Sequence, residues 1–533
     1  MNLRMRLAVT VFILLAGFVL AACASEPVDD AGSENEEAAV EGEGGDLVIA
    51  KAADVVSLDP NGSNDIPSYD VQKNIFETLT KQNEDMELVP GLATEWEAVE
   101  DDVWEFNLQE GVTFHDGTPF NAEVAKANIE RIIDPDVGSS QAALYEMIND
   151  IEIVDDYTIR LTTDYPFAPL PAHLAHPVSG IVSLEVIEAD YEAMEDGAEP
   201  GTIINETPIG TGYFEFDEWV TGEYIQLSKN EDYWDGSALL DTVTLKVVNE
   251  DLTRIAELST GDSHVSSPLS PSDVGQIEGT EGVSVQQQSI VRYSYAGFNM
   301  GKEPFDDQLV RQAISMAIDK DLIIDGILEG YGIPANTPIP VDIEGHDESI
   351  EDYEYDVEGA KELLAEAGYE DGFSTTIWVD DEREQIDTAV NIQSQLEEIG
   401  VHADVEVLEW GAFLEQTANG EHDMFVIGWT TGTGDADYSV YSLFHSNNVG
   451  APGNRTFTED DELDALLDEA RQTTDEEDRM ALYIDIQEML FDIAPAININ
   501  YPEHLMAVND NVQGLTQLPT QYLELKDVYL ENE

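Results

Sequence analysis

A few residues in this 533-residue chain have the type and placement to do chemistry. Cys23, the only cysteine, closes the run Leu20-Ala21-Ala22-Cys23 at the end of an apolar leader, where a lone thiol reads as a lipid attachment point. Arg383 stands among Asp380, Asp381, Glu382 and Glu384 just after an apolar run. A guanidinium there is a natural bidentate anchor for a ligand carboxylate, with a surface ion pair as the alternative. Arg292 and Arg455 support the same argument less directly. Asp435 and Asp437 follow a Gly/Thr-rich run, and they either neutralise a ligand ammonium group or cap the next helix. His173 and His176 form His-x-x-His, but Pro171 and Pro177 bracket them and no third ligand is evident, so the expectation is a surface pair and no metal site. There is no Gly-x-Ser-x-Gly, His-Glu-x-x-His or Gly-x-x-x-x-Gly-Lys-Ser/Thr run, so neither a catalytic residue nor a cofactor is assigned.

The leader has Arg4 and Arg6, then an uncharged run from Leu7 to Leu20, then small residues. About 14 apolar residues are short of the roughly 20 a membrane span needs, so residues 1–22 read as a signal peptide removed before an acylated Cys23. Residues 23–45 are rich in Ala, Gly, Ser, Asp and Glu and have almost nothing to bury, which predicts a disordered acidic linker. The whole chain has 113 Asp+Glu against 21 Lys+Arg, a formal charge of −92. That excludes non-specific nucleic-acid binding, which needs Lys and Arg against phosphates. It also disfavours docking on an anionic membrane, so a lipid would have to hold the protein there. The expected setting is an exposed, extracytoplasmic protein adapted to high salt or high pH.

The elements that must position these residues are α/β in character. The domain begins with Asp46-Leu47-Val48-Ile49-Ala50. Asn121 is a plausible N-cap for a helix with Ala125, Ile129, Ile132 and Ile133 on one face. Val310, Ala313, Ile314, Ala317 and Ile318 form a buried helical stripe opened by Asp306 or Asp307. From 374 to 430 the pattern is strand, helix ending at Gly400, strand, short helix, strand. Ligands in open α/β sheets sit beyond the carboxyl ends of strands, which singles out the loops 380–387 and 430–438.

Motifs in a fixed order carry a family resemblance. They run from Leu58-Asp59-Pro60 and Asn74-Ile75-Phe76-Glu77-Thr78-Leu79 through Pro90-Gly91-Leu92-Ala93-Thr94-Glu95-Trp96 and Gly111-Val112-Thr113-Phe114-His115-Asp116-Gly117-Thr118-Pro119-Phe120. Pro208-Ile209-Gly210-Thr211-Gly212, Asn230-Glu231-Asp232-Tyr233-Trp234, Phe298-Asn299 and Arg311-Gln312-Ala313 continue the order. Over roughly residues 46–530 the chain resembles the extracytoplasmic solute-binding proteins of ABC importers for peptides, glutathione and nickel complexes, family 5. The resemblance implies an α/β, two-lobed periplasmic-binding-protein fold of type II, cluster C, with an extra subdomain in the first lobe. The expected division is lobe 1 at 46–288, with a subdomain inserted at about 75–185, lobe 2 at 289–500, and a return to lobe 1 at 501–533.

The resemblance also points to site residues. In dipeptide-binding relatives an Asp a few residues after Trp429 would meet the ligand's amino group, and here Gly432 stands at that spacing. The run Trp429-Thr430-Thr431-Gly432-Thr433-Gly434-Asp435-Ala436-Asp437 is more similar to the glutathione-binding branch. Related peptide binders place an Arg near Arg383. The loop with Asn64, Asp65, Ser68 and Tyr69 precedes the first helix and is expected to face the cleft, with Ser139, Ser140 and Tyr145 as further polar candidates. The implied protein is a lipid-anchored monomer that captures a short peptide or glutathione-like ligand and hands it to an ABC permease. A nickel-chelate binder is the alternative within the class. A tethered hydrolase and a receptor ectodomain are the alternatives outside it.

Overall fold

The computed structural model describes residues 44–450 and 453–531. Cys23, the signal peptide and most of the acidic linker lie outside the described residues.

Leu47, Ile49 and Ala50 are fully buried because their strand, Asp46–Lys51, lies between two parallel neighbours, Thr242–Val247 and Val265–Ser267. A strand covered on both sides reads as a continuous apolar run. These three strands belong to a twelve-stranded sheet that continues outward through Tyr224–Lys229 to Phe214–Val220. In the other direction it runs through Ala496–Asn509, Arg292–Phe298, Met424–Thr430 and Phe373–Val379 to Val401–Val407. The sheet therefore has two halves, and these are the sheets of the two lobes.

One strand belongs to both. The first part of Ala496–Asn509 pairs with Arg292–Phe298, placing Asn500 opposite Ser294, and its later part pairs with Val283–Ser289 from Glu503 to Asn509. The chain passes between the halves at 289–292 and again at 500–503.

A second sheet, the antiparallel meander Ala93–Glu100, Val103–Leu108, Thr158–Thr163 and Ile148–Asp155, builds the subdomain of the first lobe. The helix Ala122–Ile132 contributes to its core with Ala125, Ile129 and Ile132, beside Phe106, Phe120, Ile159 and Leu161. Asn121 caps that helix by accepting from the N–H groups of Glu123 and Val124. Glu77, almost fully buried, fastens the subdomain to the lobe by accepting from Tyr233 Oη and Trp234 Nε1 at 2.8 Å, Thr211 Oγ1 at 2.9 Å and Lys81 Nζ at 2.7 Å.

The second lobe follows the α/β pattern closely. Val310, Ala313, Ile314, Ala317 and Ile318 are buried against Ile377, Ala389, Ile392 and Val426. Of the two candidate caps, Asp307 is the one that accepts from the first turn, through the Leu309 N–H. Gly400 ends its helix at φ +80°, and a Cβ at Gly372 would lie 1.9 Å from the Gly400 carbonyl oxygen. Each fully buried Ile or Leu in this layer contributes about 1.5–3 kcal/mol relative to exposure.

Candidate functional site

The two lobes meet along the loop after Met424–Thr430. Thr431 is fixed to the sheet by its N–H, which donates 2.8 Å to the Val291 carbonyl, and by its hydroxyl, 2.6 Å from Ser439 Oγ. From this base the chain bends over the first lobe. The Thr433 carbonyl accepts a short hydrogen bond from the Gln82 amide. Gly434 has φ +68°, and a Cβ there would lie 2.1 Å from Gln82 Nε2 and 2.8 Å from Met86 Cε. Gly432 faces His176, with a built Cβ 3.2 Å from Nε2. Only glycine lets the loop approach so closely. Further along, the Ala168 N–H of the subdomain donates 2.9 Å to the Arg471 carbonyl of the second lobe. The lobes are closed on each other here, and the loop 430–434 is the clasp.

Trp429 ends the strand, with Nε1 donating 3.1 Å to the Tyr438 carbonyl and its ring tilted on Tyr438 at 5.1 Å. Across the junction, Tyr69 is 3% exposed, its hydroxyl donates 2.9 Å to the Ser63 carbonyl, and its ring stands edge-on to His176 at 5.2 Å and Tyr522 at 6.1 Å. Burial, then the neighbouring Tyr522, pushes the Tyr69 phenol far above its ordinary range, so it stays protonated.

The sequence left Asp435 and Asp437 between a ligand ammonium group and a cap of the next helix; the structure makes Asp435 the cap and gives both carboxylates arginine partners within the chain. Asp435 caps the helix Ala436–Phe444 through the Asp437 N–H at 2.8 Å and binds Arg479 bidentately at 2.6 and 2.9 Å. Burial alone would raise the Asp435 carboxyl, but Arg479 outweighs it and holds it below the usual carboxylate range. Asp437 binds Arg471 at 2.9 and 2.6 Å. The Arg471 guanidinium stacks on Tyr441 at 3.2 Å. Both arginines come from later helices, Asp461–Gln472 and Glu476–Ile493. They lie 34 and 44 residues beyond their carboxylates, too far for local spacing to pair them.

Other candidates are scattered. Arg383 is the first residue of Arg383–Leu396, its side chain is 95% exposed, and its nearest carboxylate is Asp387 at 3.6 Å, so in this closed form it is a surface ion pair. Asp65 and Ser68 serve the cap of Ile66–Ile75: the Asp65 carboxylate accepts the Ser68 N–H and hydroxyl, each at 2.9 Å. Ser68 Oγ in turn accepts the Val56 N–H at 2.9 Å. Asn64 is exposed. Ser140 is exposed, Ser139 is buried, and Tyr145 is buried with its hydroxyl on the His173 carbonyl.

Arg292 is half-buried and lies across Gly428, where a Cβ would come within 2.4 Å of Nε, and it forms no salt bridge among the described residues. Arg455 is buried and donates 3.1 Å from Nε to Thr417 Oγ1.

The reading of His173 and His176 as a surface pair is wrong. They are 3% and 5% exposed. The prolines shape a short helix, Leu170–His173, and a turn, Pro177–Ser179, that turn both imidazoles inward. His173 Nδ1 lies 2.8 Å from the Leu144 carbonyl and its ring packs on Phe167 at 5.0 Å. Among the described residues no group of three or more His, Cys, Asp or Glu side chains could hold a metal ion.

Sequence reasoning missed Gln82, Met86, Ala168, Arg471 and Arg479. None lies in a motif. Only the scarcity of arginine in so acidic a chain hinted that each one present had a carboxylate to balance.

The model of the bacterial extracellular solute-binding proteins, family 5, matches residues 87–451. The glutathione-binding protein GsiB of Pectobacterium atrosepticum is 30% identical over 494 residues, 91% of this chain and 94% of its own length. Among solved structures, the periplasmic binding protein DppA of Helicobacter pylori in complex with the peptide STSA is 34% identical, with a TM-score of 0.78 over 92% of this chain and 99% of that one. HbpA2 from Haemophilus parasuis is 30% identical, with a TM-score of 0.81 over 92% of this chain and 100% of its own. The chain belongs to the family 5 extracellular solute-binding proteins, and its fold is the two-lobed binding-protein fold of that family.

Proposed function

We propose that the chain is the ligand-capturing subunit of an ABC importer, that it takes a short peptide or a glutathione-like molecule between its lobes, and that acylated Cys23 holds it at the membrane beside its permease. The contact that best supports this reading is the one between Gln82 and the Thr433 carbonyl, because a loop from one lobe bonded to a strand of the other can retain a ligand when closed and release it when open. The similarity to glutathione-binding and peptide-binding proteins supports the ligand class. Catalysis has no part in it: the lobes sequester a ligand, and the closed form is what a permease would recognise. The proposed division is a first lobe at 46–288, carrying a subdomain at about 75–185, a second at 289–500, and a return to the first at 501–533. Closure would turn about the crossings at 289–292 and 500–503.

The test is denaturing mass spectrometry of protein purified without dialysis, followed by thermal-shift titration with di- to pentapeptides, glutathione and nickel–histidine. A ligand at a hundred times its Kd stabilises by about 2.7 kcal/mol. A shift with peptides or glutathione supports the reading. A shift with nickel–histidine alone moves the protein to metal-chelate uptake, and turnover of an ester or amide with no shift overturns binding altogether.

A further inference from the structure

Closing the clasp leaves one polar atom of each lobe without a partner. Thr433 is fully buried, and among the described residues its hydroxyl makes no hydrogen bond. The residues on either side of it lie against the first lobe, Gly432 on His176 and Gly434 on Gln82 and Met86, so it is the first lobe that covers the hydroxyl. Within the first lobe, the His173 Nδ1 lies 2.8 Å from the Leu144 carbonyl, which can only accept, so the ring proton sits there and Nε2 keeps a bare lone pair. That Nε2 is buried and also without a partner among the described residues. Burial lowers the ring's pKa, so the lone pair is not filled by a second proton. The charges that act on the ring, Asp437, Asp435 and Arg471, all belong to the second lobe, which places His173 at the junction.

Open lobes give both atoms to water, whereas closed lobes give neither a hydrogen bond. Against them stand the contacts that favour closure: the Gln82 amide on the Thr433 carbonyl, the Ala168 N–H on the Arg471 carbonyl, and Met86 in the apolar cluster of the second lobe. A buried polar atom left without a partner costs more than a typical hydrogen bond contributes, so without ligand the balance tips toward opening. We propose that the Thr433 hydroxyl and His173 Nε2 are a built-in bias against closing empty, so that the lobes stay shut only when a ligand adds contacts of its own, and that Thr433 thereby lowers the affinity the protein would otherwise have. The inference rests on the importer reading above and deepens it, naming the groups that keep an open, ligand-releasing form within reach.

The experiment uses ligand-stripped protein with reduced glutathione and trialanine as probes, and compares the wild type, Thr433→Val and Thr433→Ser by calorimetric titration. Valine keeps the shape and removes the hydroxyl without breaking a hydrogen bond that the side chain makes. Thr433→Val is expected to bind about fivefold or more tightly, a gain in affinity from deleting a polar group. Thr433→Ser keeps the hydroxyl and should stay within about twofold of the wild type. Should Thr433→Val fail to fold, nitrogen-15 histidine spectra of the wild type decide: the His173 Nε2 signal must move toward that of a lone pair without a hydrogen bond as the probe closes the lobes. Equal binding by Thr433→Val means that the hydroxyl finds a partner in the closed form, and weaker binding means that the ligand is that partner. Either result, or an Nε2 signal unmoved by a bound probe, overturns the inference and leaves the importer reading standing. A wild type that binds neither these probes nor longer peptides overturns the importer reading instead, and unliganded scattering profiles then test the bias alone: Thr433→Val should be the more compact, and identical profiles overturn it.

Discussion

The Ala168 N–H donates 2.9 Å to the carbonyl of Arg471, the residue whose guanidinium is clamped by Asp437. An ion pair inside one lobe thus sets the position of a carbonyl that the other lobe reads. Asp435 and Asp437 are paired within their own lobe, and neutral groups, the Gln82 amide and the Ala168 N–H, make the hydrogen bonds between lobes.

Breaking that ion pair from one side should be costly. Asp437 and Arg471 side chains are 3% and 13% exposed, so Arg471→Gln leaves a nearly buried carboxylate without its partner, at about 3–5 kcal/mol. The paired change Asp437→Asn with Arg471→Gln should recover much of the loss. Urea unfolding midpoints of the three variants measure it, and equal loss in single and double variants would contradict the pairing.

Gly434 should matter for binding more than for folding. Alanine at φ +68° costs about 1 kcal/mol, and its Cβ would displace the Gln82 amide from the Thr433 carbonyl. Gly434→Ala is expected to weaken ligand binding about tenfold while lowering the unliganded melting temperature by only a few degrees. Scattering profiles with and without ligand would show whether closure is lost.

His422 gives a pH dependence whose sign is fixed. It is fully buried, its Nε2 is 2.9 Å from the Arg455 carbonyl, and burial lowers its pKa from 6.5 to about 4. The unfolded chain therefore binds this proton first. The stability is complete above pH 6.5 and is lost as pH falls toward 4. By pH 5 the loss amounts to about 2 kcal/mol at 1.36 kcal/mol for each pKa unit. Stability measured against pH should fall more steeply in wild type than in His422→Gln between pH 6.5 and 5, and parallel curves would refute the assignment.

The acidic composition predicts salt dependence. With a formal charge of −92, self-repulsion opposes folding at low ionic strength and is screened within about 3 Å at 1 M salt. The thermal midpoint should rise between 0.05 and 1 M sodium chloride. A flat response would remove the argument for a saline habitat.

Cys23→Ser tests the anchor. Expressed in a bacterium with its own leader, the variant should move from the membrane fraction to the soluble extracytoplasmic fraction and lose the acyl mass. A variant still in the membrane fraction would point to some other attachment.

Secondary structure was legible in both lobes where local signals agreed. Asn121 and Asp307 are caps followed by apolar stripes, and Gly400 stands where a helix must turn left-handed. The site was legible only in part. The run 429–437 could be singled out because glycine-rich loops announce close approach, but what it approaches, Gln82 and His176, lies some 250 to 350 residues earlier. Asp435 and Asp437 were visible as charges and their arginines were not, since pairing across helices leaves no spacing to read. His173 and His176 were misjudged because flanking prolines suggested an exposed loop, whereas here they form the tight turns that face both rings inward.

The strand Ala496–Asn509 is shared by both lobes, and this bears on how the protein is made. It fills a central place in the sheet, between Arg292–Phe298 and Val265–Ser267, yet it is synthesised after every strand it pairs with. Neither half of the sheet can complete its hydrogen-bonded ladder until this strand has been made, because its pairings span some two hundred residues. A chain that has not yet reached this strand therefore stays open at its core. The same late strand that joins the lobes in the mature molecule delays premature folding in the nascent one.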